Sequence, residues 1–133
     1  MIKFMFVGLL TVIAVVYVVE SENITDEFDG VDIDQILSSK RLVDNYLICF
    51  KTGQKCTRDG KKARELLPDV LQSKCSECND VHVEKIQQIL TWVVENKPDD
   101  FLELETIFDA EHKYREIYAD ELEKRNIVLP PLK

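Results

Sequence analysis

CFKTGQKCTRDGKKARELLPDVLQSKCSEC, residues 49 to 78, holds the four cysteines of this 133-residue chain at the spacing C-x6-C-x18-C-x2-C. Four cysteines so placed can bind zinc, can form a redox pair with two spectators, or can form two small disulfides. A zinc site with four cysteine ligands generally has two short pairs with about two to four intervening residues, which the longer first gap fits poorly. A thioredoxin-type pair follows a strand, whereas Cys75-Ser76-Glu77-Cys78 lies between helical patterns. The spacing therefore favours disulfides.

The first 21 residues have the layout of a secretory signal peptide. Lys3 supplies a positive charge, residues 4 to 19 are almost wholly apolar, and Val19 and Ser21 place small residues at the −3 and −1 positions. An uncleaved membrane anchor is the alternative, because the apolar run approaches the length of a spanning helix. The pattern favours cleavage after Ser21, which leaves residues 22–133 as a single domain.

Export strengthens the disulfide interpretation, because an even number of cysteines in a small exported domain usually means disulfides. Three connectivities are possible for four cysteines. Pairing of neighbours along the chain, Cys49–Cys56 with Cys75–Cys78, is the favoured one.

The net charge of −8 excludes some partners. An acidic surface repels phosphate backbones, so we expect no nucleic-acid partner. The same charge argues against docking on anionic lipid. Asn23-Ile24-Thr25, beside the cleavage site, satisfies the sequence requirement for N-glycosylation.

After an acidic arm, apolar residues recur at helical rather than strand spacing, so the chain is predicted to be all-α, with about six short amphipathic helices. We expect Asp32 or Asp34 to cap the first helix and Ser76 or Asn79 to cap the fourth. Pro68 should bend the third helix or end it, because its ring blocks the bond back to residue 64. A sixth helix is predicted from about 110 to 125, and the apolar tail after it is expected to pack back on the body.

The sequence closely resembles the insect chemosensory proteins, also called OS-D-like proteins. The cysteine spacing is that family's signature, and the resemblance covers roughly Phe28 to Val128. Further matches are Asp32-Ile33-Asp34, Ile36-Leu37, Arg41-Leu42, Asn45-Tyr46, Gly60-Lys61, Leu67-Pro68-Asp69, Asn96-Lys97-Pro98 and Lys113-Tyr114-Arg115.

The resemblance implies a compact bundle of six short helices around an apolar channel, with disulfides between neighbouring cysteines. It implies a secreted carrier in an extracellular fluid such as sensillum lymph or haemolymph, which binds fatty acids, long-chain alcohols and pheromone- or odorant-like compounds. It implies no enzyme activity, cofactor or metal. We expect a monomer with no stable membrane insertion after removal of the signal peptide. The alternative is a secreted developmental or protein-interaction factor.

Three positions depart from the family pattern. Phe28 replaces the usual tyrosine, Phe101 stands where a tryptophan is common while Trp92 lies elsewhere, and residues 109–112 replace an Asp-Pro-x-Gly turn. The first two changes should remove a phenol hydroxyl and alter the volume of the pocket. The third leaves the geometry of the turn open.

No catalytic constellation emerges from the titratable residues. His82 and His112 fall in different predicted helices and are interpreted as exposed polar residues. The carboxylate runs are interpreted as solvated helix faces, because no loop gathers them as an EF-hand does. These runs are Glu77, Asp80 and Glu84, and Glu103, Glu105, Asp109 and Glu111.

The predicted ligand-binding residues are apolar positions on the inner stripes of the helices, with one tyrosine and one acid. The resemblance places Tyr46 on the channel, where its hydroxyl could orient a polar head group, and Asp29 at the mouth. The full set is Asp29, Ile36, Leu42, Val43, Tyr46, Leu66, Leu67, Val70, Ile86, Ile89, Leu90, Val93, Phe101 and Leu104.

Overall fold

The computed structural model describes Phe28 and residues 30–133, and seven helices lie within that part of the chain. The signal peptide predicted for residues 1–21, the sequon at Asn23, and Asp29 lie outside the described residues. No strand occurs in the described part. The helices are α1 Ile33–Leu37, α2 Lys40–Thr52, α3 Arg58–Ser73, α4 Asp80–Asn96, α5 Pro98–Phe108, α6 Tyr114–Ile117 and α7 Ala119–Lys124.

Helices α1 to α4 each begin at a side-chain cap that satisfies one of the free N–H groups of the first turn. Asp32 accepts from Gln35 N, and Ser39, Thr57 and Asn79 do the same for the residue three positions on. Of the alternatives offered by the sequence, Asp32 and Asn79 are the caps that form.

The ends of α2 and α4 are also set by single residues. Gly53 lies at φ 78°, a left-handed conformation that favours glycine, and its N–H donates to Cys49 O at 2.8 Å. Pro98 occupies the first turn of α5, where its missing N–H costs nothing. By contrast, α3 continues through Pro68, so that proline does not end the helix.

Both disulfides join neighbouring cysteines, Cys49 to Cys56 and Cys75 to Cys78, which confirms the favoured connectivity. The first closes the corner between α2 and α3, and Cys49 is fully buried there. The second closes the corner between α3 and α4. Neither bond reaches beyond the two helices that adjoin it in sequence.

Helix α2 is central to the packing. It packs against α1, α3 and α5, while α4 packs against α1 and α5. Helices α3 and α4 follow one another in the chain but are not among the closely packed pairs of described helices. No helix of the described part is both long enough and apolar enough to cross a membrane.

The sixth predicted helix is replaced by a turn and two short helices, α6 and α7. Asp109 organises the turn, because its carboxylate accepts from the N–H groups of Lys113 and Tyr114 at 3.0 Å each. His112 follows in the left-handed region at φ 59°. Asp109 thus supplies by side-chain bonding the turn that proline and glycine would otherwise form.

A buried ion pair joins α5 to α6 and to the C-terminal tail. The Arg115 guanidinium donates to both oxygens of Glu105, at 2.6 and 2.8 Å, and also to the carbonyl of Pro130 at 2.8 Å. Ile127 at the start of the tail is buried, and its N–H donates to Leu122 O at 2.9 Å. The tail therefore packs on the body, as its apolar sequence predicts.

The interpretation of the second carboxylate run as a solvated face is wrong for two of its members. Glu105 and Asp109 are buried. Glu105 accepts hydrogen bonds from the Arg115 guanidinium, and Asp109 accepts them from backbone N–H groups of the turn. Glu103 and Glu111 are exposed, as are Glu77, Asp80 and Glu84 of the first run.

Replacement of Glu105 by Gln should destabilise the protein by about 2–3 kcal/mol, because it leaves the Arg115 charge without its buried partner. The side chain of Glu105 is 5% exposed and that of Arg115 is 21% exposed. Glu103→Gln is the matched control two residues away, since Glu103 is 64% exposed in its pair with Lys51. That change should cost less than about 1 kcal/mol. Urea unfolding of both variants measures the difference, and equal losses would contradict the clamp.

The same pair predicts acid sensitivity. The hydrogen bonds from Arg115 hold the pKa of Glu105 below its ordinary value of 4.5. A carboxyl whose pKa is lowered by folding stabilises the protein above its unfolded-state pKa, and this contribution is lost as the pH falls through the folded-state pKa. The stability difference between the native chain and Glu105→Gln should therefore be constant near neutral pH and shrink below about pH 4.5. Urea unfolding over a pH series tests this, and a pH-independent difference would be the contrary result.

Candidate functional site

The predicted ligand-binding residues are distributed over five helices, α1 to α5. Helix by helix, the set is Ile36 on α1; Leu42, Val43 and Tyr46 on α2; Leu66, Leu67 and Val70 on α3; Ile86, Ile89, Leu90 and Val93 on α4; and Phe101 and Leu104 on α5. Asp29 lies outside the described residues. The two helices that contribute most of the set, α3 and α4, are not among the closely packed pairs of described helices.

Most of this set is neither buried nor exposed. Val43 is buried, while Ile86 and Ile89 on α4 are 43% and 38% exposed. The other described members are half-buried: Ile36, Leu42, Tyr46, Leu66, Leu67, Val70, Leu90, Val93, Phe101 and Leu104. A close-packed protein core would leave such side chains inaccessible. The inner stripes therefore retain apolar surface that no protein side chain covers.

Tyr46 lies at the α2–α3 corner, next to the first disulfide. The Thr57 hydroxyl accepts from Gly60 N at 3.0 Å and donates to the Tyr46 hydroxyl oxygen over 3.3 Å. No acceptor for the proton of Tyr46 itself is found among the described residues. This hydroxyl is thus positioned by the helix cap and keeps a donor for another group.

Two open grooves lie elsewhere on the described surface. One, of about 600 Å³, runs between α1 and α4 and includes Leu37 and Trp92 with Glu84 and Glu95. The other, of about 340 Å³, lies at the α5–α6 turn beside Phe108 and Tyr114. Neither groove is lined by the predicted binding residues. Trp92 contributes to the groove between α1 and α4 and not to the inner stripe of α4. Its position outside the apolar periodicity of α4 is the sequence feature that indicates this different side of the helix.

The interpretation of both histidines as exposed helical residues is wrong. His82 is buried, with the edge of its ring against Phe28 at a centroid distance of 6.4 Å. It begins the stripe that continues through Ile86, Ile89 and Val93 at helical spacing, so the period of α4 places it inward. His112 lies in the turn after α5, with Nδ1 3.4 Å from Glu105 Oε2.

The described residues contain no cluster of three or more histidine, cysteine or acidic side chains that could hold a metal ion. All four cysteines are in disulfides, so no thiol is left as a nucleophile. The chemistry available at the inner stripes is therefore apolar contact with a few hydroxyl groups.

Comparison with known proteins first defines the class. The model of the insect pheromone-binding family A10/OS-D matches residues 24–116. Ejaculatory bulb-specific protein 3 of Drosophila melanogaster is 31% identical over 118 residues, which span 89% of this chain and 94% of that protein. The putative odorant-binding protein A10 of the same fly is 37% identical over 101 residues, 76% of this chain and 65% of the other.

Solved structures agree on the fold. The antennal chemosensory protein A6 of the moth Mamestra brassicae is similar with a TM-score of 0.62 and 26% identity, over 77% of this chain and 100% of that one. A chemosensory protein in complex with bromo-dodecanol gives a TM-score of 0.65 at 28% identity, over 73% and 97%. Both share the overall fold described above.

The chain belongs to the insect pheromone-binding family A10/OS-D. This confirms the family to which the cysteine spacing pointed. It also confirms the prediction of a binding protein and not an enzyme, since the family is one of ligand-binding proteins.

Replacement of Gly60 by Ala tests the α2–α3 corner. An added Cβ would lie 3.2 Å from Tyr46 Cε1 and Thr57 Oγ1, and 3.3 Å from Cys49 Sγ. Alanine is ordinarily better in a helix by about 1 kcal/mol. Here we expect a net loss of about 1 kcal/mol, because the cap, the ring and the disulfide cannot all move aside. Gly30→Ala is the control, since nothing lies within 4 Å of its added Cβ. Thermal unfolding measures both, and a stabilised Gly60→Ala variant would refute the expectation.

Proposed function

We propose that this protein is a secreted, monomeric carrier of small hydrophobic molecules, which it holds between its amphipathic helices. The observation that carries the proposal is the half-buried state of the inner apolar stripes of α1 to α5. Family membership supports it, because one solved relative is a complex with bromo-dodecanol. Long-chain alcohols, fatty acids and pheromone- or odorant-like compounds are the ligand classes that fit such surface.

The binding space is the region bordered by α2, α3 and α4. Ile86 and Ile89 on α4, together with Leu66 and Val70 on α3, contribute apolar surface to it. The Tyr46 hydroxyl donates to the oxygen of an alcohol or carboxylate head group, since Thr57 already donates to Tyr46. Asp29 is assigned to the mouth of the space on the family resemblance alone.

The expected affinity is modest. Burial of about twelve methylenes gains on the order of 10 kcal/mol at ~0.8 kcal/mol each. Loss of rigid-body freedom and ordering of the ligand remove several kcal/mol of this. A dissociation constant no tighter than about micromolar remains, with little discrimination between chains that differ by one carbon. Such an affinity suits a carrier that must also release its cargo.

Export is supported by features of this chain, whereas a specifically sensory function is not. The signal-peptide pattern of residues 1–21 and the two disulfides support export. The name of one relative refers to the ejaculatory bulb. Carriage of apolar compounds is therefore proposed without restriction to a sense organ.

Displacement of a bound fluorescent probe by dodecanol tests the carrier function and the assignment of α4. We expect displacement at micromolar dodecanol, and about tenfold weaker binding in Ile89→Gln, because the amide would lose its water on contact with the alkyl chain. Ile107→Gln is the matched control on α5, since Ile107 is comparably exposed and lies outside the proposed set. Absence of displacement would refute the carrier function. Equal effects of the two substitutions would refute the placement of the site.

A further inference from the structure

The positive charge of this acidic protein is concentrated at one corner. Residues 51–64 carry six basic side chains and one acidic one, whereas the whole chain has a net charge of −8. This stretch comprises the end of α2, the loop closed by Cys49–Cys56, and the first half of α3. The charge is therefore segregated, and the net charge alone does not describe the surface.

Two of the six basic residues are used inside the fold. Lys51 pairs with Asp100 and with Glu103. Arg64 donates to Phe50 O at 3.0 Å and lies over the ring of Phe108. These two groups hold α3 and α5 against α2.

Lys55, Lys61 and Lys62 have a different environment from Lys51 and Arg64, and we call these three lysines the basic patch. Arg58, at the start of α3, is exposed and is not included in the patch. Lys55 and Lys61 are exposed and Lys62 is half-buried. No carboxylate of the described residues forms an ion pair with any of the three. Glu65, one turn further along α3, marks the boundary of the patch.

The local backbone adds to the positive potential. Helix α3 has 16 residues and begins at Thr57, so the positive end of its dipole lies at the patch. The disulfide fixes the loop that carries Lys55 next to this helix end. The three ammonium groups are thus presented from a covalently closed corner.

We propose that the basic patch docks the protein peripherally on a bilayer surface containing anionic phospholipid. At physiological salt, exposed charges more than about 8 Å apart are largely screened. A surface that meets the patch therefore interacts with the lysines more strongly than with carboxylates on the far side. The sequence-based expectation that the acidic chain avoids anionic lipid considers only the net charge.

A bilayer is the occupant that the exposed lysines and the neighbouring binding space favour, and this step rests on the proposed carrier function. Apolar cargo partitions into membranes, so a carrier gains from a surface at which it can collect or deliver cargo. The patch adjoins Thr57, whose hydroxyl contacts Tyr46 at the edge of the proposed binding space. Docking would bring that edge near the lipid surface.

Flotation of ligand-free protein with vesicles tests the proposal independently of cargo. We expect binding to vesicles with roughly 30% phosphatidylserine in phosphatidylcholine, no binding to pure phosphatidylcholine, and loss of binding as salt is raised well above about 0.15 M. Each lysine at such a surface contributes about fivefold, so Lys55→Gln/Lys61→Gln/Lys62→Gln should weaken partitioning on the order of a hundredfold.

The matched control is Lys40→Gln/Lys113→Gln/Lys124→Gln, which makes the same change in net charge at exposed lysines on other elements. It should bind the anionic vesicles as the native chain does. Equal weakening by both triple variants, or equal binding to both kinds of vesicle, would overturn the proposal. So would concentration-dependent dimerisation that the patch substitutions abolish, because the patch would then bind a second copy.

Probe displacement separates the two proposals. Dodecanol should displace the probe from the patch variant as it does from the native chain, because the three lysines lie outside the proposed binding space. Native chain that floats with anionic vesicles but binds no probe would refute the carrier function and retain the docking surface. Native chain that binds probe but does not float with anionic vesicles would retain the carrier function and refute the docking surface.

Discussion

The short reach of the two disulfides is the constraint on which the rest of this fold depends. Cys49–Cys56 and Cys75–Cys78 span sequence separations of 7 and 3, so each closes a corner between consecutive helices. No covalent bond between distant helices exists in the described chain. The bundle must therefore be held together by packing and polar contacts, and it can leave apolar residues of α3 and α4 incompletely buried without loss of its corners.

Polar contacts supply the long-range connections that the disulfides do not. Arg115 ties α5, α6 and the tail through Glu105 and Pro130 O. The Tyr118 hydroxyl donates to Leu71 O at 2.7 Å and joins the end of α6 to α3. Because the side chains that form these contacts lie outside the predicted binding set, they are compatible with adjustment of the inner stripes to a ligand.

The fold could be predicted from the sequence because its determinants are local. Helical spacing of apolar residues, caps such as Asp32 and Thr57, and cysteines close in sequence all act within a few residues of where they occur. The family followed from the same cysteine spacing. Prediction failed where a residue's partner is distant in sequence. Glu105 was interpreted as one member of a solvated acidic run, whereas the fold places the Arg115 guanidinium against its carboxylate. His82 is an intermediate case, since the period of α4 placed it inward and its polar character suggested the opposite.

By itself the sequence determined the all-α class, the disulfide pairing and the set of apolar stripes, because periodicity and short-range pairing are properties of the chain alone. Only the tertiary structure decided which stripes stay uncovered, which carboxylates are buried and where positive charge is exposed. Those outcomes depend on which helices meet: α2 packs against three neighbours, whereas α3 and α4 are not a closely packed pair. Burial and screening are set by such distances between elements, and a linear sequence does not contain them.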